Sequence, residues 1–185
     1  MSWADDDGDL ALFPIMGNAE EEAATTQRNY CAACERPASV CICRYLPSPP
    51  VASAIHTVIL MHPKESERAC CTAPLVARSL ENCDLLLGRE LGDFKGKCAI
   101  LDAAIASPEA TAVLFPGPDA FDLSDVGGGD DAMGPPLPRV RYLIVFDGTW
   151  RYAREMFERN RRHLQGATQV FFSKPFGRGN GGRSE

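Results

Sequence analysis

The run Tyr142-Leu-Ile-Val-Phe146 bears hardest on what this chain can fold into: five apolar or aromatic residues in a row, ended by Asp147. Such a run suits a strand buried on both faces, and Asp147 then puts a carboxylate at the strand's carboxyl end. Gly148 permits a sharp turn, Thr149 is a good N-cap, and Trp150, Ala153, Met156 and Phe157 recur at helical spacing along one face. The pattern is strand, turn with an acid, helix. In open α/β sheets ligands gather outside the carboxyl ends of the strands, and a helix N-terminus offers amides to an anion. Asp147 is therefore the first candidate site residue.

Other short apolar runs repeat the theme. Ile55–Met61 reads as a strand that delivers His62-Pro63 into a turn, Asp84–Gly88 and Ala112–Phe115 as two more strands, and Thr168–Phe172 as the last. Thr72 followed by Pro74 predicts the start of a helix over 72–80, with Leu75, Val76, Ser79 and Leu80 on its core face. Strands alternating with helices predict the α/β class, a parallel-type sheet with flanking helices. Residues 118–138, rich in Gly, Pro and Asp, read as a mobile surface insert, and 173–185 as a flexible tail.

Cys31, Cys34, Cys41 and Cys43 bring four thiols into thirteen residues, as Cys-x2-Cys followed by Cys-x-Cys. Through two tight turns they can converge on one tetrahedral zinc ion, and with four ligands filled the metal is structural and activates no water. Two disulfides are the alternative; with no secretory signal the reading is a reducing compartment, where thiolates meet metal. Common ferredoxin spacings are absent. Cys70, Cys71, Cys83 and Cys98 show no metal spacing.

The length of 185 residues with 45% hydrophobic content suits a single core. The net charge of −6 misleads: residues 1–22 hold seven acids and no Lys or Arg, which leaves +1 for the rest. Residues 1–29 read as a disordered acidic tail, and 48–172 as the main domain behind the Cys segment of 30–47. No basic n-region, transit-type segment or membrane-length apolar run occurs, so a cytoplasmic or nuclear location without a membrane partner is expected. Any nucleic-acid binding must rest on a local patch. The segment 150–163 offers one, where Arg151 with Glu155 and Arg154 with Glu158 are set to pair at i,i+4, leaving Arg161, Arg162 and His163 for phosphates or simply for solvent.

Asp147-Gly-Thr149-Trp150 has the form Asp-x-Thr-Trp from which the DTW-domain family takes its name. With the Cys cluster ahead of Leu46-Pro47, His62-Pro63 ahead of Glu65 and Arg68, and Pro116-Gly117 at a strand end, the chain resembles that family over residues 30–172. The resemblance implies a SPOUT-like fold and a tRNA-uridine aminocarboxypropyltransferase, which moves the 3-amino-3-carboxypropyl group of S-adenosylmethionine to N3 of a tRNA uridine. It implies Asp147 as general base or uracil-orienting group, against a plain helix-capping acid. Thr149 is open between base contact and cap, and Trp150 between stacking on a base and core. Pro116 and Gly117 fall in the cofactor-binding region of the resemblance. His62 is open between contact with nucleoside or cofactor and a turn histidine bonded to backbone. One departure is Cys71, where the family usually carries Asn. After Phe172 the family's Ser-x-Tyr-x-Ile-Arg and following helices are not found, so the expectation is a SPOUT-like fold without its knot region. Two alternatives stay open: an inactive RNA-binding module, and a SPOUT-type RNA methyltransferase using the same cofactor.

Overall fold

A computed structural model describes residues 29–34, 36–68, 71–125 and 139–173. The expected acidic tail, apart from Asn29, most of the glycine-rich insert and the segment after Ser173 lie outside the described residues.

Six parallel strands form one sheet in the order β2-β1-β5-β3-β6-β4. They are β1 (His56–Met61), β2 (Cys83–Leu87), β3 (Thr111–Leu114), β4 (Phe121–Asp122), β5 (Tyr142–Asp147) and β6 (Thr168–Phe171). The helices are α1 (Pro63–Ser66), α2 (Ala73–Ser79), α3 (Ala99–Ala106) and α4 (Trp150–Asn160). The register sets Met61 opposite Asp147, and the His62 amide extends the ladder by donating to the Asp147 carbonyl at 2.9 Å.

Alternation along β1 sorts the core into two faces. Val58 and Leu60 join Ile144, Phe146, Val113, Leu101, Met156 and Phe157 in the main core under α3 and α4. Ile59 and Met61 point the other way, to a smaller cluster with Ala73 of α2. Fully burying a side chain such as Leu60 or Ile144 contributes about 1.5–3 kcal/mol, so the α3–α4 face carries most of the hydrophobic stabilisation. β5 is accordingly not buried on both faces as its sequence suggests. Ile144 and Phe146 are buried while Leu143 and Val145 are half-buried, because the second face has the thinner cover among the described residues.

Several local expectations are corrected. Thr72 precedes α2 but its side chain caps nothing; its carbonyl accepts from Leu75 and Val76 instead. Val76 faces solvent, 41% exposed, and Ala73 is the residue of α2 that reaches the core. The region expected to be a surface insert begins with structure: Phe121 and Asp122 pair with β6, and the Asp122 carboxylate accepts the amides of Ser124 and Ser173. Among the described residues no helix is long and apolar enough to cross a membrane.

Candidate active site at the switch point of the sheet

β1 and β5 are neighbours, yet the chain leaves them in opposite directions: from β1 towards β2 at one edge, from β5 across β3 to β6. In open α/β sheets such a divergence, at the strands' carboxyl ends, marks the place of the ligand crevice. Here the turn His62–Arg68 and the turn Asp147–Trp150 meet at that place.

Thr149 caps α4, its hydroxyl accepting the Tyr152 amide at 3.4 Å. Its own amide donates to Glu65 Oε1 at 3.2 Å, tying the two turns together across 84 residues of chain. Glu65 is buried, 8% exposed, and its other oxygen meets Arg68 Nη1 at 3.3 Å. Asp147 is half-buried, and no hydrogen bond to its carboxylate occurs among the described residues. Burial first, and the Glu65 charge second, push its carboxyl above the ordinary range. The dipole at the start of α4 acts the other way and is worth about 0.3–1 kcal/mol.

His62 is fully buried. Its Nδ1 accepts the Lys64 amide at 3.1 Å, the backbone bond expected of a turn histidine, while Nε2 is buried without a hydrogen-bond partner among the described residues. Its ring stacks on Tyr152 of α4. Burial, then the charge of Arg89, lowers its pKa, so the ring is neutral near pH 7. His56 is structural in the plain sense, paired with Asp84 at 2.7 Å.

Trp150 leaves the apolar face its spacing suggested. Ala153, Met156 and Phe157 are buried, whereas Trp150 is 55% exposed. It stacks on Phe115 at 5.4 Å, Phe115 stacks on Phe157 at 4.2 Å, and the Arg154 guanidinium lies over the indole. These rings wall a groove of about 510 Å³ that also takes in Pro116, Gly117 and Gln169. At Gly117 a Cβ would meet the Gln169 amide at 3.0 Å, so a side chain there would displace it. The structure thus brings Pro116 and Gly117 to Trp150, and His62 to Asp147 and Thr149.

The arginines of α4 do not pair as their spacing suggested. Arg159 bonds Glu155 and Glu90, Arg161 bonds Glu158, and Arg162 meets Glu90, so the two cations expected to be free hold carboxylates. Arg151 and Arg154, expected to pair, instead lie over the Tyr152 and Trp150 rings. Glu155 and Glu158, the expected partners, are taken by Arg159 and Arg161, and Glu90 from another part of the chain meets Arg159 and Arg162.

Cys31, Cys34, Cys41 and Cys43 converge, their sulfurs all within 4.8 Å of one another, and can hold a metal ion. All four are free thiols. Cys31 to Cys43 is 3.9 Å and Cys34 to Cys41 is 3.8 Å, far beyond the roughly 2.05 Å of a disulfide. The amide of Cys34, then that of Ala33, holds the Cys31 thiol down to about 6, while the neighbouring sulfurs, Cys34 first, push Cys43 up to about 12. Four crowded thiolates are mutually unfavourable, and a cation among them removes that conflict. Arg36 of the same segment donates to the Cys71 carbonyl at 3.0 Å, docking the cluster beside the Glu65 turn.

Two residues central to this arrangement carried little sequence signal as site members. Glu65 was visible only as part of the His-Pro motif, and Tyr152 only as an aromatic two positions from Trp150.

A parallel sheet with an acid at its switch point and a four-cysteine cluster beside it defines an α/β protein with a crevice-type site. The sequence model of the DTW domain matches residues 28–177, and the chain belongs to that family. It is 32% identical over 136 residues to mouse tRNA-uridine aminocarboxypropyltransferase 2, which covers 72% of this chain and 43% of the relative. It is 35% identical over 133 residues to the Drosophila melanogaster protein of the same name, covering 71% of this chain and 49% of that one. With Arabidopsis thaliana tRNA-uridine aminocarboxypropyltransferase A it shares 31% over 160 residues, 82% of this chain and 58% of the relative. The chain thus spans about half the length of the curated relatives it matches. No solved structure matches it.

Proposed function

We propose that the crevice carries out aminocarboxypropyl transfer from S-adenosylmethionine to N3 of a tRNA uridine, within a SPOUT-like fold. The observation that carries this reading is Asp147: a half-buried carboxylate at the switch point, without a donor among the described residues, and held above its ordinary pKa. Such a group is a better base than an exposed aspartate, and uridine N3–H is a weakly acidic imide that must lose its proton. In the step, Asp147 takes the N3 proton and N3 bonds to the γ-carbon of the aminocarboxypropyl group. The C–S bond breaks with its electron pair going to sulfur, and 5′-methylthioadenosine leaves. The sulfonium supplies the electrophile, so the chain's residues need only position, deprotonate and exclude water.

Trp150, half-exposed beside Arg154, is suited to stacking on a base, and the Pro116-Gly117 turn beside it lets backbone approach an adenosyl ligand closely. His62 is neutral, and because Nδ1 accepts the Lys64 amide its proton sits on Nε2, a donor without a partner among the described residues that nucleoside or cofactor can take once binding uncovers the buried ring. For the cysteine cluster the ion is zinc: with Zn–S near 2.3 Å a regular tetrahedron has edges of about 3.8 Å, close to the observed sulfur separations. The zinc would be structural, held by Cys31, Cys34, Cys41 and Cys43. With tRNA as substrate, cytoplasm and nucleus are the compartments implied.

The test is incubation of the chain with S-adenosylmethionine and tRNA, followed by mass analysis of the released nucleosides. Aminocarboxypropyl-uridine supports the reading. A methylated base instead would identify a methyltransferase, and tRNA binding without cofactor binding a plain RNA-binding module.

A further inference from the structure

Glu65 is an acid where acids are rarely found, and the general-base reading alone does not require it. It stands 8% exposed at the end of the His62-Pro63 turn, and one oxygen is fixed by the Thr149 amide. That amide belongs to the turn that carries Asp147, two residues before it. The second oxygen is held from outside by Arg68. A buried carboxylate costs several kcal/mol unless bonded in this way, so its place is set on both sides. We propose that Glu65 is a positioning residue for Asp147: it clamps the Asp147-Gly148-Thr149 turn through the Thr149 amide and keeps a second negative charge beside the base. The proposal rests on the reading of Asp147 as the base.

The clamp and the charge do different work. Clamping fixes the angle at which the Asp147 carboxylate meets the crevice, because the turn has only Gly148 between the acid and the bonded amide. The charge opposes ionisation of Asp147, in the same direction as its burial, and so makes it a stronger base. The other groups near the pair do not replace it. Arg68 faces Glu65 from the end of α1, Cys71 ahead of α2 is a thiol that burial keeps neutral, and Arg89 and Glu155 act on His62. Glu65 is the nearby acid whose charge acts on Asp147.

Two variants separate the two roles. Glu65→Gln is isosteric, its amide oxygen still able to accept from Thr149, but it deletes the charge. Glu65→Asp keeps the charge and withdraws it from the amide by one methylene. The full chain, labelled with carbon-13 at its aspartate carboxyls, is titrated by NMR, with Asp147→Asn identifying the Asp147 signal. In Glu65→Gln the Asp147 midpoint moves to lower pH, and the acid limb of the transfer-rate profile moves with it. In Glu65→Asp the midpoint stays near the wild-type position, while kcat falls by up to about a hundredfold because the base is misplaced. An unmoved Asp147 midpoint in a folded Glu65→Gln, or full kcat in Glu65→Asp, overturns the proposal. If Glu65→Gln does not fold, the Glu65→Asp kcat alone decides it. A shifted midpoint in a protein that transfers no aminocarboxypropyl group would leave the carboxylate pair standing and discard the function assigned to it.

Discussion

His62 lies flat against Tyr152, their ring centroids 4.0 Å apart and their planes 3° from parallel. The contact joins the end of β1 to the first turn of α4, and Gly148 sits between them. A Cβ at Gly148 would meet the Tyr152 Cβ at 3.1 Å and the His62 Cβ at 3.5 Å. Both neighbours are fixed to regular elements and yield little. Gly148→Ala is therefore expected to cost about 1–3 kcal/mol in urea unfolding, with loss of the stack visible in near-ultraviolet circular dichroism.

The buried imidazole also sets a pH dependence. Burial first, then Arg89, lowers the His62 pKa in the folded protein, whereas the unfolded chain takes up the proton near 6.5. Between those two values the unfolded state binds more protons. Stability from this group is complete above about pH 6.5 and is lost as the pH falls towards the folded pKa. In His62→Asn, which keeps an acceptor for the Lys64 amide, this part of the acid-side loss should disappear. His163, also lowered by burial, is common to both proteins and cancels in the difference.

Asp147 behaves in the opposite sense. Its folded pKa is raised, so the folded state holds the proton longer, and the ionised group weakens the fold once the pH has passed the folded value. Asp147→Asn should then be more stable than wild type near pH 7, with the gap closing as the pH falls to that of an ordinary protonated carboxyl. Transfer should drop about a hundred- to ten-thousandfold. A turn acid serving only as a cap would be replaced by Asn at almost no cost, with stability and rate both little changed, because Asn caps as well as Asp. Urea melts at two pH values, beside the rate, distinguish the two.

What was legible in the sequence was local. The β5 strand, the turn with Asp147 at its start, the Thr149 cap and the convergence of four cysteines each depend on neighbours within a few residues and each is formed, although β5 is fully buried on one face alone. What was not legible needed a partner from far along the chain. Trp150 lies over half exposed, stacked on Phe115 from beyond the end of β3. Asn160, which reads as an ordinary polar helix end, is fully buried and bonds the Leu91 amide and the Arg89 carbonyl some 70 positions away. Glu90, equally distant in the chain, meets Arg159 and Arg162. Helical spacing tells which residues share a face, not what arrives to meet that face.

The cysteine cluster makes a prediction separable from catalysis. Protein purified under reducing conditions should hold about one zinc per chain, and Cys34→Ser should lose it together with the order of residues 30–47. None of the four ligands lies in the sheet, so far-ultraviolet circular dichroism should change little. The Arg36 bond to the Cys71 carbonyl is then the route by which metal loss reaches the Glu65 turn. Two disulfides and no metal would remove the zinc assignment.

The last prediction reverses what spacing alone implied about RNA binding. Arg161 and Arg162 are exposed but face Glu158 and Glu90, so a phosphate must compete with a carboxylate for each. Arg151 and Arg154 are exposed, have no carboxylate within 4.0 Å among the described residues, and flank the Asp147 turn on the first turn of α4. Guanidinium groups lying on aromatic rings are already partly ordered, which lowers the entropy lost on gripping a phosphate; Arg161 also lies over a ring, Phe157, but is held by Glu158 as well. Neutralising Arg151 and Arg154 to Gln should therefore weaken tRNA binding and flatten its salt dependence, the slope falling by about 0.7–0.9 for each phosphate that is no longer neutralised. The same change at Arg161 and Arg162 should do less, because their guanidinium groups are already engaged by carboxylates and grip phosphate weakly. Filter binding of tRNA across a salt series, with both double variants and wild type, compares the two pairs directly. A larger effect from Arg161 and Arg162 would place the RNA towards the far end of α4, where Arg161 lines the same groove as Trp150.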